Sequence, residues 1–176
     1  MKFQFDEVVG FSVDTVYTTL RDRTPELVPY LPEVDHIETL ERVTQADGRL
    51  RLTNLWQGNK KSAPVMARPF LTKQMMCWRD VATWDHSARC LHWKFETMHM
   101  ESLFSCSGTN YFEHVDDATC KMRFTGDIET YLERVPGISP TLGRRLAPKA
   151  DRWLVNMLMP NIARLPVALN ALLAQH

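Results

Sequence analysis

The stretch "TCKMRFTGDIETYL", residues 119–132, sets the class of fold. Cys120, Met122, Phe124 and Ile128 share one parity, and Lys121, Arg123, Asp127 and Glu129 share the other. Alternation of this kind predicts a strand with one dry and one wet face, as in an antiparallel sheet that covers a core on one side. Upstream, across the short turn "DDA", lies "SLFSCSGTNYFEHV" (102–115), and before that "RCLHWKFE" (89–96). "VATWD" and "LTKQMMCW" precede these, each read as a strand. "HIETLERV" and "RLRLTNLW" flank "TQADG", whose Asp47-Gly48 pair is a hairpin signal. From Val34 to about Leu132 the period is two.

Both flanks of this region turn helical. "KFQF" at residues 2–5 predicts a first strand, and "FSVDTVYTTLRD" a helix capped by Ser12, with Val13, Val16, Tyr17 and Leu20 on one face. In "TPELVPYLP", Thr24 is placed to cap a very short second helix with Pro25 in its first turn. Beyond "VPGISPTLG", Ser139 and Pro140 open a long helical segment. Its predicted inward stripe is Leu142, Leu146, Ala150, Trp153 and Met157, flanked by Leu154, Leu158 and Ile162. Pro160 and Pro166 should kink or interrupt it. Arg144, Arg145, Lys149 and Arg152 fall outside the stripe.

The 176 residues fit one domain, 1–176, with no repeat, linker or low-complexity tract. Formal net charge is zero, so no overall basic field points to nucleic acid. No run of about 18 apolar residues is present to span a membrane. "MKFQFDEVVGF" lacks the apolar core of a secretory signal, and the four cysteines form no CxxC pair. A cytoplasmic protein with reduced thiols is the expectation.

This order of elements resembles the START-like, or helix-grip, superfamily (SRPBCC, polyketide cyclase-like), which includes lipid-transfer domains, polyketide cyclases and birch-pollen-allergen-like proteins. The resemblance is carried by "SVDTVYTTLRDRTPELVPYLPEVDHIETLE" for the first helix to the second strand. "WRDVATWDHSARCLHWKFE" carries it for the middle strands and "GTNYFEHVDDATCKMRFTGDIE" for the last hairpin. It is closest to bacterial members of unassigned function. It implies an α+β fold, with a curved antiparallel sheet of six to seven strands wrapped around a long C-terminal helix and a cavity between them.

"CLHWKFETMHME" (90–101) poses the choice between a metal site and a cavity wall. Leu91, Trp93 and Phe95 point one way, and Cys90 and His92 the other. Cys90 and His92 could supply two zinc ligands, but no spacing supplies the rest. The reading is therefore a cavity wall, with no metal and no cofactor. Trp56, Met76, Trp78, Trp93, Phe95, Phe104, Phe112, Met122, Phe124, Trp153 and Met157 are the candidate lining residues, with Trp84 on the same parity. Asn54, Asn110, His114 and, from the helix, Asn156 are the polar residues placed to join them. Lys60, Lys61, Arg68, Arg145 and Lys149 are candidates for a basic cavity mouth that could touch an anionic head group or, transiently, a membrane surface. "PVMARPFL" would form a gate beside it. There is no GxSxG, HExxH, P-loop or dinucleotide fingerprint. The main expectation is a carrier or sensor of a hydrophobic small molecule such as a lipid, isoprenoid or polyketide. A cyclase- or dehydratase-like enzyme in the same cavity is the alternative, and a protein-interaction module a second one.

Overall fold

The computed structural model describes residues 1–62, 69, 72–97, 103–135 and 137–175. Seven strands form one curved antiparallel sheet: β1 (Lys2–Val9), β2 (Val34–Thr44), β3 (Leu50–Gly58), β4 (Cys77–Asp85), β5 (Cys90–Thr97), β6 (Phe104–Asp116) and β7 (Thr119–Thr130). Their spatial order is β1-β7-β6-β5-β4-β3-β2. Strands β2 to β7 are a simple meander, and β1 closes the series beside β7, with Lys2 opposite Asp127 and Val9 opposite Cys120. The β2–β3 turn forms as the sequence predicts. Gly48 takes φ 82°, and the Asp47 carboxylate accepts from Arg49 N at 3.1 Å.

Between β1 and β2 lie α1 (Val13–Asp22) and a 3-10 segment, Thr24–Tyr30. Ser12 caps α1 by accepting from Thr15 N, and Val16, Tyr17 and Leu20 enter the core. Thr24 does not cap the next segment. Its hydroxyl donates back to Leu20 O, which ties the start of the 3-10 segment to the last turn of α1.

Two stretches depart from expectation. "LTKQMMCW" and "VATWD" are not two strands: the chain makes a 3-10 turn at Gln74–Met76, then a single β4 that runs unbroken from Cys77 to Asp85. The long helix α2 (Pro140–Ile162) packs on a stripe one residue further along than predicted. Gly143, Ala147, Asp151, Leu154 and Leu158 face inward or lie partly buried, while Leu142 is 48 % exposed and Trp153 58 % exposed. Leu154, Leu158 and Ile162, predicted to flank the stripe, do pack against the core with Val155, whereas Gly143 and Asp151 are small or polar and leave no mark on a hydrophobic period. The Asp151 carboxylate accepts from Thr130 N at 2.8 Å and Thr130 Oγ1 at 2.7 Å, and Gly143 lies directly on the backbone of Leu132 and Glu133.

Helix α3 (Arg164–Leu173) follows after a break at Ala163. Pro166 has no N–H for the carbonyl of Ile162, so the helix is interrupted as expected. Pro148 and Pro160 are accommodated within α2. Leu169, Leu172 and Leu173 of α3 complete the core against α1 and β1, and Asn170 fixes its place by accepting from Gly10 N at 2.9 Å.

Candidate functional site

The ladder registers decide which side chains share the inner face. Reading across from β7 to β3, Phe124 lies opposite Asn110, Asn110 opposite Leu91, Leu91 opposite Trp84, and Trp84 opposite Leu50. Two same-face steps toward the far end, past the rung of Gly126, Gly108, Trp93, Ala82 and Leu52, Ile128 lies opposite Cys106, Cys106 opposite Phe95, Phe95 opposite Asp80, and Asp80 opposite Asn54. Trp56, Trp78, Trp93, Phe95, Phe104, Phe112, Met122 and Phe124 therefore all lie on one face of one sheet.

That face has two ends of different character. Toward α1 it is closed. Tyr17 meets Trp84 edge-on at 5.1 Å and Phe112 at 5.2 Å, and Met122 and Phe124 are fully buried beneath. These four sheet residues belong to the packed core. The other end, on β3, β4 and β5, is an aromatic shelf. Trp56 stacks on Trp78 at 5.8 Å, Trp78 tilts against Phe95 at 6.3 Å, and Phe95 against Trp93 at 4.8 Å. Trp93 lies down on the sheet because Gly108 opposite it has no side chain; a Cβ there would run into its ring and Thr125 O. Its indole N–H donates to Asn110 Oδ1 at 2.9 Å, and Asn54 Oδ1 accepts from Thr39 Oγ1 at 2.8 Å. Both asparagines are thus partnered. Met76 borders the shelf from the turn before β4, close to Gly58 and Trp78.

Within the shelf sits a residue the sequence reading did not single out. Asp80 is on the inner face of β4 between Trp78 and Ala82, flanked by Asn54 and Phe95. The side chain keeps some solvent contact, but its Oδ1 is sealed from water and has no hydrogen-bond partner among the described residues. Desolvation pushes the carboxyl up to about 7, since a charge there would lose water and gain no counter-ion. Three further polar atoms on the same shelf are buried and have no partner among the described residues: Trp56 Nε1, Trp78 Nε1 and Thr97 Oγ1. Thr97 lies directly opposite Trp78. Cys106, opposite Phe95, has its thiol pushed up to about 12, first by burial and then by Asp80 and Asp127 nearby. It stays protonated and unreactive at neutral pH. The signal for Asp80 was available: Trp78 and Trp84 share parity, so any residue an even step between them faces the same way.

The remaining candidates scatter. Trp153 and Asn156, expected inside, line an open hollow on the outward side of α2 together with Pro148, Lys149 and Arg152. Lys60 and Lys61 border a different hollow with Asp35 and Asn59. Arg145 is exposed on α2, and His114 is exposed at the end of β6. Arg68, the Met157 side chain and most of "PVMARPFL" lie outside the described residues. Cys90 and His92 do share a face, with Sγ 3.8 Å from Nε2, but His92 is committed to Thr109 Oγ1 at 2.9 Å. Among the described residues, no three His, Cys, Asp or Glu side chains gather to hold a metal.

The sequence matches no family model and no curated protein sequence. Solved structures do match. The chain is similar to the Zhui aromatase/cyclase from Streptomyces sp. R1128, with a TM-score of 0.68 at 16 % identity over 97 % of this chain and 92 % of that one. It is similar to norcoclaurine synthase from Thalictrum flavum, with a TM-score of 0.63 at 13 % identity over 100 % and 87 %. A START superfamily protein from Mycobacterium smegmatis matches with a TM-score of 0.56 at 12 % identity over 99 % and 97 %. Identities this low speak to the backbone and not to the chemistry carried on it. On strand order, the C-terminal helices and these likenesses together, the chain adopts the START-like, helix-grip fold shared with polyketide cyclase-like proteins.

Proposed function

We propose that the protein binds a hydrophobic small molecule on the aromatic shelf and holds the molecule's polar end through an oxygen atom. One observation carries this reading. Among the described residues, Trp56 Nε1, Trp78 Nε1, Thr97 Oγ1 and Asp80 Oδ1 are shielded and without a hydrogen-bond partner, on neighbouring positions of an otherwise apolar surface. An unpaired buried donor costs about 1–3 kcal/mol, and a ligand atom that pairs it removes that cost. Indole N–H groups only donate, so the matching ligand atom is an acceptor such as a carbonyl, phenol or ether oxygen. A protonated Asp80 adds a third donor below its pKa. Stacked rings at Trp56, Trp78 and Phe95 suit a flat, unsaturated body. Among similar structures, the norcoclaurine synthase holds dopamine and hydroxybenzaldehyde, both aromatic and oxygen-bearing. Carriage of an oxygenated aromatic or polyketide-like molecule is the role these features favour over carriage of a plain acyl chain.

Native mass spectrometry of freshly purified protein, with extraction of anything released, identifies a resident ligand. Tryptophan-fluorescence titration then compares a phenol- or ketone-bearing aromatic with its parent hydrocarbon. The oxygenated compound should bind about tenfold tighter, and Trp56→Phe with Trp78→Phe should erase that preference while keeping the rings. Equal affinity for the two compounds, or no binding of either, rejects the reading.

Asp80 favours a second reading, acid–base catalysis in the same place. A carboxyl that titrates near neutrality can both give and take a proton at a ligand carbonyl or its neighbouring carbon. In that case Asp80→Asn abolishes turnover of a carbonyl substrate without weakening its binding. Asp80→Asn with unchanged turnover would leave carriage alone.

A further inference from the structure

The outward face of α2 carries a feature unrelated to the shelf. Leu142, Arg145, Lys149, Arg152, Trp153 and Asn156 recur at three- and four-residue steps, opposite the packed stripe through Gly143, Ala147, Asp151 and Leu158. All six are exposed. Four of them border, with Pro148, a hollow of about 390 Å³. Arg144 adds a further exposed cation to the same helix. None of Arg144, Arg145, Lys149 and Arg152 takes part in an ion pair among the described residues. The helix's one acid, Asp151, is turned inward onto Thr130.

We infer that this face of α2 docks on the anionic surface of a lipid bilayer, with Trp153 at the level of the head groups. The mixture of residues selects the partner. A polyphosphate chain would be met by the cations without Leu142 and Trp153 among them. A neutral apolar surface would be met by Leu142 and Trp153 without the cations. A bilayer with acidic head groups is charged at its surface and apolar just beneath, and tryptophan settles at that boundary. The net charge of the whole chain is zero, so the attraction is local to this stripe and orients the molecule helix-down.

Co-sedimentation with vesicles of phosphatidylcholine, with and without phosphatidylglycerol, tests this on the full chain. Binding should require phosphatidylglycerol and weaken as salt is raised. The double variant Arg145→Glu, Lys149→Glu should lose at least about tenfold in vesicle affinity, with its circular dichroism and melting temperature unchanged. Trp153→Ala should weaken binding at an unchanged salt slope. Brominated lipids should quench less fluorescence in that variant than in the wild type. Equal binding to neutral vesicles overturns the inference, as does no binding to either kind. So does wild-type affinity in the charge-reversed variant, or tighter binding to a single-stranded oligonucleotide than to the acidic vesicles.

Discussion

At the scale of single residues, Asp80 ties stability to pH in an unusual direction. Its carboxyl titrates near 3.8 in the unfolded chain and near 7 in the folded one. Between those values the folded state holds a proton that the unfolded state has released. Stability therefore falls as pH rises from about 4 to about 7, and is flat with respect to this group above that. The total is on the order of 4 kcal/mol. Asp80→Asn keeps the shape and removes the titration. Urea unfolding at pH 5 and pH 8 should show the variant ahead of the wild type at both, by about 4 kcal/mol at pH 8 and by less than half of that at pH 5. The aromatic neighbours were legible from alternation alone. Asp80 has the same parity but went unread, because a charged residue inside "CWRDVATWD" invites a break in the strand where the ladder shows none.

At the scale of elements, α2 is positioned by a glycine contact and a polar clasp as well as by its apolar packing through Leu154, Val155 and Leu158. A methyl group at Gly143 would meet the backbone of Glu133, which has no room to yield. Gly143→Ala should cost about 1–3 kcal/mol in denaturant unfolding, although alanine is the better helix former. Asp151→Ala leaves Thr130 without its acceptor and should cost a similar 1–3 kcal/mol. Replacing Leu142 by alanine should change stability by less than about 0.5 kcal/mol, since the residue is exposed. These three measurements together fix the rotation of the helix. A hydrophobic period of 3.6 fits two adjacent stripes of α2 almost equally well. Only the polar clasp to β7 and the glycine contact choose between them, and neither shows in the spacing of Leu, Trp and Met. The strands were easier, because a one-residue slip exchanges the whole dry face for the wet one.

At the scale of the whole molecule, the sheet is a meander closed by its own first strand. The order of the elements along the chain and the helical bookends were readable from the change of period at Val34 and Leu132, but the strand count was not, because the residues of "LTKQMMCW" and "VATWD" that lie in the sheet belong to the single strand β4. The division of the inner face into a sealed end and a shelf was not. It depends on Tyr17 reaching across from α1 to Trp84 and Phe112, a contact between residues far apart in sequence. Gly108→Ala tests how the two ends are held together. It should lift Trp93 off the sheet, destabilise by about 1–3 kcal/mol and change the tryptophan emission of the folded protein.

The pairing of β1 with β7 also sets a timetable. Strand β1 is made before the other six strands, yet Phe5 has its stacking partner only when Phe124 arrives, and Gly126 receives the ring of Phe3 later still. At ordinary rates of translation that interval is roughly ten seconds. Through it the nascent chain can zip β2 to β6 pair by pair, each beside its predecessor, while the two phenylalanines of β1 wait for the strand that covers them. A chaperone that holds short aromatic segments would find its opening in those seconds. A circular permutant that places residues 1–33 after β7 would close it.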